Sequence, residues 1–239
     1  RHCRTCGTRP GDVGQLALGY GMFTGGFGFH AGAERLGCTV VPASGGMTAR
    51  QVRLIEDFGA TTICATPSYM LVILDEYRAQ GRDPRQSPLR IGLFGGEPWS
   101  EAMRAEIEAG FNMQALDCYG LSEVIGPGVA TEDAETKDGM HIWEDHFIAE
   151  VIDPATGAVL PEGEMGELVL TSLSKQASPV IRYRTGDLTR LLPPSTLPVR
   201  RMSRVLGRSD DMIILRGVNL FPSQIEAQVL AQAGLTEHS

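Results

Sequence analysis

The sequence predicts an α/β protein in three parts. Residues 1–147 are expected to form a doubly wound, mostly parallel sheet, because strand and helix patterns alternate between residues 36 and 118. Residues 148–206 are expected to form a small β-barrel-like subdomain, because short strands follow one another there without helices between them. Residues 207–239 begin a strand–turn–helix pattern, which indicates the start of a separate C-terminal α+β domain.

Four short apolar runs in the first part are predicted to be strands. They lie at residues 38–41, 61–65, 90–94 and 113–118. Three helices are predicted between them, at 48–58, 66–80 and 100–108. Thr48 and Gln51 have the spacing of a capping box, and Pro67 follows Thr66 at the first helical position, where a missing N–H costs nothing. Strand–helix–strand units of this length favour parallel pairing.

Short strands dominate the second part. They are predicted at 148–152, 167–172 and 180–183, with a turn at 153–157. An irregular crossing follows, marked by Pro193, Pro194 and Pro198. Beyond Gly207 we expect a strand at 212–215, a turn at Arg216-Gly217 and a helix capped by Ser223.

Composition restricts the classes of function. Lys and Arg total 21 against 29 Asp and Glu, a net charge of −8 without a basic run, which argues against a nucleic-acid surface. No apolar stretch approaches the ~18–20 residues of a membrane span, and no signal peptide is visible. The five cysteines lack dense spacing, so we expect a reducing compartment, the cytoplasm. Cys3 and Cys6 form a lone CxxC pair, which suits packing or a surface better than zinc.

The glycine-rich stretch at 19–32 resembles a phosphate loop at first sight. It lacks the Gly-Lys-Ser/Thr ending of a P-loop, and its glycines do not follow a strand with G-x-G-x-x-G spacing. Close helix packing or a pocket wall is therefore the preferred interpretation. We interpret His30 within it as a buried histidine with satisfied hydrogen bonds rather than as a catalyst.

Polar or glycine-bearing loops follow three of the predicted strands, at residues 66–68, 95–98 and 119–123. Ligands of doubly wound sheets bind beyond the carboxyl ends of the strands, so these loops predict a cleft. In the last loop Tyr119 can stack on a purine and Gly120 admits a close backbone approach. Ser122 offers a hydroxyl, and Glu123 can hold a hard cation such as Mg²⁺.

Two polar strings near the C-terminal end, at 183–187 and 207–211, combine fixed charge with glycine. A solvated turn explains either string alone equally well. Considered with the 119–123 loop, they suggest that Asp187 accepts hydrogen bonds from ribose hydroxyls and that Arg208 faces phosphate or ribose oxygens. Such a set would bind a nucleoside triphosphate with its magnesium.

These strings and their order resemble the adenylate-forming superfamily and, within it, the phenylacetate–CoA ligase family. The resemblance covers nearly the whole chain. It is carried by FTGGFGFHAGAERLG (23–37), TPSYML (66–71), GGEPWSEAMR (95–104), YGLSEVIGPG (119–128), GMHIWEDHF (139–147), PVIRYRTGDLTRL (179–191) and GRSDDMIILRGVNLFPSQIE (207–226). WEDHF and RGVNLFPSQIE favour this family over the superfamily at large.

The resemblance implies a role for each matching residue on the nucleotide side. The implied nucleotide-binding residues are Gly95, Gly96, Glu97, Pro98, Asp117, Tyr119, Gly120, Ser122, Asp187 and Arg208. Residues 95–98 correspond to the adenine loop, Tyr119 to the stacking aromatic and Asp187 to the ribose ligand. Ser122 and Glu123 correspond to the phosphate and magnesium contacts.

Other positions correspond to the family's moving parts and its acid pocket. Asp210 matches the hinge of the C-terminal domain, and Gly217 the glycine that approaches the CoA arm. The implied catalytic set is Glu123, Arg208 and Asp210, and the implied aryl pocket is Phe23, Gly96, Gly120 and Pro127. Glu144, Asp145 and His146 look like a catalytic cluster, but structural hydrogen bonding explains them at least as well.

The activity that the resemblance implies is ATP-dependent ligation of phenylacetate, or a close aryl acid, to coenzyme A. The cofactors are then ATP, Mg²⁺ and CoA, and the partners are small molecules and, in a homodimer, a second copy of the chain, with no nucleic acid or membrane. Two alternatives stay open: a ligase for another aryl acid or an amine acceptor, and a non-catalytic nucleotide-binding module.

Some features of the family are absent from this sequence. Its phosphate loop would precede Arg1 and its C-terminal lysine would follow Ser239, so we expect an internal fragment with little activity of its own. Some relatives carry a zinc site that uses cysteines near His141. Glu132 and Asp133 precede His141 here, and residues 193–199 contain no cysteine, so no zinc is expected.

Overall fold

The chain folds into two compact units. The computed structural model describes residues 2–21 and 23–210, together with the backbone of two short strands at 213–215 and 218–220. The first unit holds the residues up to Trp143 and the segment Pro194–Arg201, and the second holds Glu144–Pro193 and the residues from Met202 onward.

The first unit is built on a mixed sheet with helices between its parallel strands. Its elements are α1 (His2–Thr5), β1 (Val13–Leu16), α2 (Thr24–Leu36), β2 (Thr39–Val41), α3 (Thr48–Phe58), β3 (Thr62–Ala65), α4 (Pro67–Ala79), β4 (Ile91–Phe94), α5 (Glu101–Phe111), β5 (Gln114–Leu121), β6 (Ile125–Glu132) and β7 (Met140–Ile142). Within this unit the strand order is β7-β6-β5-β4-β3-β1-β2. Strands β2, β1, β3, β4 and β5 are parallel, whereas β5, β6 and β7 pair antiparallel. The predicted mostly parallel sheet is confirmed.

Two apolar clusters cover the two faces of this sheet. Side chains of α3, α4 and α5 pack with Ile63 and Ala65 of β3, whereas side chains of α1 and α2 pack with Cys64 between them. Successive side chains of a strand point to opposite faces, so the helices lie on both sides. This is the doubly wound arrangement that the alternating pattern predicts.

Helices α4 and α5 begin where the sequence predicts. Thr66 is the N-cap of α4, with Pro67 in its first turn. Ser100 is the N-cap of α5, and its Oγ accepts a hydrogen bond from the Met103 N–H at 3.0 Å. Helix α5 runs to Phe111, three residues beyond the predicted end, and stops at Asn112, whose φ is 55°.

The predicted capping box at the start of α3 is wrong. Thr48 is the first helical residue, and the N-cap is Met47, which makes no side-chain cap. Gln51 is fully buried, and its Nε2 donates to the carbonyls of Ser44 and Gly46. Its Oε1 accepts from Gln15 Nε2 at 2.7 Å, so this side chain fixes the preceding loop instead of the helix end.

Three strands of the first unit, β1, β6 and β7, were not predicted. Strand β1 pairs with both β2 and β3 in the parallel part of the sheet. The polar Gln15 interrupts its apolar run, and its Nε2 donates to the Oε1 and the carbonyl of Gln51, which offsets part of the cost of burying it in a central strand. The glycines and the proline within β6 also interrupt its apolar pattern, so the sequence does not reveal this strand.

The second unit contains a three-stranded antiparallel sheet in the order β10-β9-β8. Its elements are β8 (Phe147–Ile152), β9 (Gly166–Ser172), β10 (Tyr183–Thr189) and the short β11 (Leu191–Leu192), with β12 (Arg201–Met202) at the unit boundary and an antiparallel pair of β13 (Ile213–Leu215) and β14 (Val218–Leu220). The predicted turn is confirmed by the hydrogen bond from Gly157 N–H to the Asp153 carbonyl at 2.8 Å.

The predicted strand at 180–183 is wrong, because β10 begins only at Tyr183. Ser178 and Arg182 both have positive φ values, which break an extended run. The predicted turn at Arg216-Gly217 and the helix from Ser223 lie outside the described residues. Among the residues that are described, no helix is both long and apolar enough to cross a membrane.

Candidate functional site

The C-terminal end of β5 separates two surfaces of the first unit. The predicted loop at 119–123 is mostly strand, since β5 extends to Leu121 and a hairpin turn leads into β6. Cys118 packs in the apolar cluster of α1 and α2, whereas Ala115 packs in that of α3, α4 and α5. Because side chains alternate along a strand, Asp117 and Tyr119 lie on the Ala115 side and Gly120 on the Cys118 side.

A cavity of about 150 Å³ lies on the Cys118 side of the strand. All four residues predicted for the aryl pocket line it, namely Phe23, Gly96, Gly120 and Pro127. The other walls include the apolar side chains of Leu18, Phe29 and Ala65, and several glycines add backbone polar atoms to the lining. Thr24 and Ser122 supply hydroxyl oxygens to its lining, and these lie 3.2 Å apart.

Glycines let α2 and β6 approach this cavity closely. A Cβ on Gly28 of α2 would lie 2.6 Å from the Gly126 carbonyl oxygen, and one on Gly120 would lie 2.8 Å from that of Ile125. The glycine-rich stretch is therefore a packing surface and pocket wall, as predicted. His30 in the same helix is partly exposed, and its Nδ1 lies 3.0 Å from the Tyr20 hydroxyl.

The predicted adenine loop at 95–98 contacts the first turn of α4 through a hydrogen bond. Glu97 Oε1 accepts a hydrogen bond from the Ser68 N–H at 2.7 Å, and the side chain of the Thr66 N-cap makes no such bond. A carboxylate at a helix N-terminus satisfies a free N–H and complements the helix dipole. Glu97 thus ties two of the predicted ligand loops together, which the sequence motif alone did not indicate. Gly96 and Pro98 are exposed.

A buried ionic group lies on the opposite side of β5, with Asp117. The guanidinium of Arg104 donates to both carboxylate oxygens of Glu132, at 2.7 Å and 2.8 Å, and to the Ala115 carbonyl at 2.7 Å. Glu132 Oε2 also accepts from the Asp117 N–H at 2.7 Å. The Arg104 guanidinium carbon lies 4.9 Å from the centre of the Trp99 ring. Burial and the neighbouring Glu132 carboxylate raise the pKa of Asp117 to about 7.

In the second unit, the string at 183–187 forms a bulged strand rather than a solvated turn. The register of β10 against β9 shifts between Arg184 and Leu188, and Gly186 has a φ of 78°. The buried Glu167 carboxylate holds this bulge, because it accepts from Arg184 Nε at 3.0 Å and from the Gly186 N–H at 3.1 Å. Thr185 donates its hydroxyl to the Leu168 carbonyl at 2.9 Å.

Asp187, Arg208 and Asp210 lie together in this unit. Arg208 donates to both oxygens of Asp210, at 2.9 Å and 3.0 Å, and its Nη1 lies 3.5 Å from Asp187 Oδ1. The Arg208 guanidinium lowers the pKa of the exposed Asp210 carboxyl. Gly217 lies outside the described residues.

The remaining polar candidates have structural partners. His141 is buried, with Nε2 3.2 Å from the Thr196 hydroxyl and 3.8 Å from Asp133 Oδ2. Within the described residues, no group of three or more His, Cys, Asp and Glu is arranged to hold a metal ion. His146 Nδ1 lies 2.6 Å from Ser174 Oγ and its Nε2 3.6 Å from Asp145. Cys3 and Cys6 are buried packing residues, and burial raises the pKa of both thiols.

A sequence model of the AMP-binding enzyme family matches residues 5–174. The chain belongs to the AMP-binding enzyme family. The match includes the cavity, the end of β5 and the loop at 95–98, and the strands β8 and β9 of the second unit.

Four curated relatives at 50–61% identity share one name. The chain is 61% identical over 226 residues to the phenylacetate-coenzyme A ligase of Aromatoleum evansii, covering 95% of this chain and 51% of the relative. It is 55% identical to the enzyme of that name from Escherichia coli K12, covering 100% of this chain and 55% of the relative. The chain spans about half the length of these relatives.

A solved structure of the same fold is that of 2-hydroxyisobutyryl-CoA ligase in the postadenylation state, in complex with R3-HIB-AMP. It superimposes with a TM-score of 0.91 at 30% identity, covering 100% of this chain and 54% of the other. The similarity confirms the large α/β arrangement of the AMP-binding family.

Proposed function

We propose that the enzyme containing this chain joins phenylacetate, or a close aryl acid, to coenzyme A, with ATP converted to AMP and pyrophosphate. The observation that carries this proposal is the end of β5, which has a cavity with apolar side chains in its walls on one side and Asp117 with Tyr119 on the other. A strand end of this kind suits a reaction that brings an apolar acid and a nucleotide together. Identity of 50–61% to phenylacetate-coenzyme A ligases supports the choice of acid.

The size of the cavity supports an aromatic ring as its occupant. Its volume is about 150 Å³, and an engineered apolar cavity of about 150 Å³ in another protein binds benzene. Phe23, Phe29 and Pro127 supply apolar walls, and a phenyl ring gains free energy when it leaves water for such walls. The Thr24 and Ser122 hydroxyls provide polar atoms for the carboxylate end of the acid.

The proposed reaction has two steps. A carboxylate oxygen of the acid attacks the α-phosphorus of ATP, and pyrophosphate leaves. The CoA sulfur, as thiolate, then attacks the carbonyl carbon of the acyl-adenylate, and AMP leaves. The protein contributes positioning and charge neutralisation, with Tyr119 stacking on adenine, Asp187 accepting from ribose hydroxyls and Arg208 offsetting phosphate charge.

Magnesium is proposed to bind at the hairpin turn after β5. Ser122 and Glu123 are exposed there, and both offer the hard oxygen donors that Mg²⁺ prefers. When bound, the ion would offset the negative charge of the phosphates. Glu123 and Ser122 would then hold the triphosphate at a fixed position.

The moving parts of the enzyme are also proposals. We place the domain boundaries at 1–147, 148–206 and 207–239, with the middle part barrel-like and the last part the start of a C-terminal domain that rotates about Asp210. Gly217 would approach the CoA arm. Cytoplasmic location is supported by the five free cysteines, which fit a reducing compartment. A homodimer is a further proposal, which light scattering would test.

The deciding experiment is acid-dependent exchange of labelled pyrophosphate into ATP by the full-length enzyme, followed by AMP release with CoA present. We expect phenylacetate to support both reactions more efficiently than aliphatic acids. Exchange with another aryl acid, or acyl transfer to an amine, would replace the proposed substrate. ATP binding without turnover on any acid of the panel would instead identify a non-catalytic nucleotide-binding module.

A further inference from the structure

The ionic group beside β5 contains one more acid than base. Arg104, Asp117 and Glu132 are each at most 9% exposed. The Arg104 guanidinium is committed to Glu132 by two hydrogen bonds, so the Glu132 charge is neutralised inside the protein. An ionised Asp117 would therefore add a net negative charge to a buried site, which is costly.

The groups that face Asp117 come from β6, from α5 and the loop before it, and from β5 itself. Glu132 of β6 repels its negative charge, whereas Arg104 of α5 attracts it. The Trp99 side chain and the Cys118 backbone N–H also favour the charged form, and Glu101 of α5 lies 3.3 Å from Arg104 Nε. Burial and Glu132 outweigh these influences, so the pKa of Asp117 is raised to about 7 and the carboxyl is poised between its two forms near neutral pH.

We propose that Glu132 and Arg104 are positioning residues, that Glu132 disfavours ionisation of Asp117 on the nucleotide side of β5 while Arg104 holds Glu132 in place, and that tight nucleotide binding requires the neutral Asp117 carboxyl. The inference rests on the proposed function, because it assumes that the nucleotide binds on the Tyr119 side of the strand. Arg104 and Glu132 act through Asp117, since the Glu132 carboxylate and the Arg104 guanidinium hold the backbone at Asp117 and Ala115.

Hydrogen-bonding capacity explains why the neutral form is required. A protonated carboxyl donates through one oxygen and accepts through the other, whereas a carboxylate only accepts. The edge of adenine presents an amino donor beside a ring-nitrogen acceptor, which only the protonated carboxyl matches at both atoms. An ionised Asp117 would also repel the polyanionic phosphates, and little water is present in a buried site to screen that repulsion.

The test is the pH dependence of the ATP KM in pyrophosphate exchange by the full-length enzyme, from pH 6 to 9, at saturating magnesium and aryl acid. For the unmodified enzyme, we expect the ATP KM to rise above about pH 7, approaching tenfold per pH unit as the neutral fraction falls. We expect the KM for the acid not to follow this rise, because the acid binds on the other side of β5.

Two substitutions give signed expectations. Asp117→Asn keeps a donor and an acceptor but does not titrate, so its ATP KM should have the same value across this pH range. Glu132→Gln removes the repelling charge and leaves Arg104 without its anion, so Asp117 should ionise more readily and the rise should begin at lower pH. Glu106→Gln, on the exposed surface of the same helix as Arg104, should retain the pH profile of the unmodified enzyme.

A purely structural role would lower the free energy of unfolding in Glu132→Gln without moving the midpoint of the pH profile, and that result would overturn the inference. A rise in Asp117→Asn equal to that of the unmodified enzyme would do the same. If the unmodified enzyme shows no acid-dependent exchange at any pH, the proposed function fails instead. Calorimetric titration with Mg-ATP would then measure the pH dependence of nucleotide affinity in the unmodified enzyme and the same variants.

Discussion

Arg184, Thr185 and Asp187 lie within four residues of one another, yet they have different partners. Arg184 binds the buried Glu167 carboxylate, and Thr185 donates to the Leu168 carbonyl. Both therefore hold the bulge in β10. Asp187 instead lies 3.5 Å from Arg208 Nη1, so in the proposed function it is the member of this string that binds ligand.

At the scale of single residues, Glu123→Gln should lower the rate of adenylation by about 10²–10³-fold, the usual effect of removing one preorganised electrostatic contact. Gln keeps the size of the side chain but loses the charge that is proposed to hold magnesium. Phenylacetate-dependent pyrophosphate exchange measures the effect. Glu164→Gln, an exposed change between β8 and β9, serves as the control, and an unchanged exchange rate in Glu123→Gln would rule out the magnesium role.

Helix α2 shows how a whole element positions the cavity. Two of its glycines have different surroundings, because a Cβ on Gly28 would meet the Gly126 carbonyl oxygen at 2.6 Å, whereas one on Gly32 would meet nothing within 4 Å. Gly28 therefore sets the distance between α2 and β6. Gly32 has no such contact and leaves the helix backbone more flexible than alanine would.

This difference predicts opposite effects of the same substitution. Gly28→Ala should lower the free energy of unfolding by about 1–3 kcal/mol through overpacking, and Gly32→Ala should raise it by about 0.5–1 kcal/mol through helix propensity. Urea unfolding of both variants measures the two values. Equal changes in the two variants would contradict the packing role of Gly28.

At the scale of the whole molecule, the proposed site residues fall into two sets, each inside one compact unit. The cavity and the end of β5 belong to the first unit, and Asp187, Arg208 and Asp210 belong to the second. In the second set, Arg208 holds Asp210 with two hydrogen bonds. Asp210 is the position about which the C-terminal domain is proposed to rotate between the two half-reactions.

Asp210→Pro in the full-length enzyme should therefore spare adenylation and impair thioester formation, because proline fixes φ at the proposed hinge. Asp210→Ala removes the contact with Arg208 but leaves the backbone free, so it should impair thioester formation less. Exchange of pyrophosphate and single-turnover formation of acyl-CoA measure the two steps. Equal loss of both steps in Asp210→Pro would remove the hinge argument.

The sequence predicted the parts of the molecule in which local chemistry determines the result. Ser100 caps α5 and Pro67 begins α4 because the first turn of a helix has its own requirements. Strand β1 and the buried position of Gln51 depend instead on the contact between Gln15 and Gln51. These residues are 36 positions apart, and no local pattern reveals their contact. In the site, the aryl-pocket residues were predicted because they lie in short motifs. The contacts that join distant residues of the site were not predicted.

The bond between Glu97 and Ser68 and the pairing of Arg104 with Glu132 were missed. Each joins residues 28 or 29 positions apart across different elements. Neither partner stands out in the sequence, because single carboxylates and arginines are common on solvated helix faces. The charge of Glu132 becomes informative only when its burial is known.

The alternation of side chains at the end of β5 has a consequence for how the enzyme can diversify. In the proposed function, changes at Cys118 or Gly120 alter which acid is accepted, and changes at Asp117 or Tyr119 alter how the nucleotide is held. Natural variation on one side of the strand can then widen or narrow the range of acids while the energy source stays the same. A lineage could acquire a new carbon source through a few substitutions without rebuilding its use of ATP.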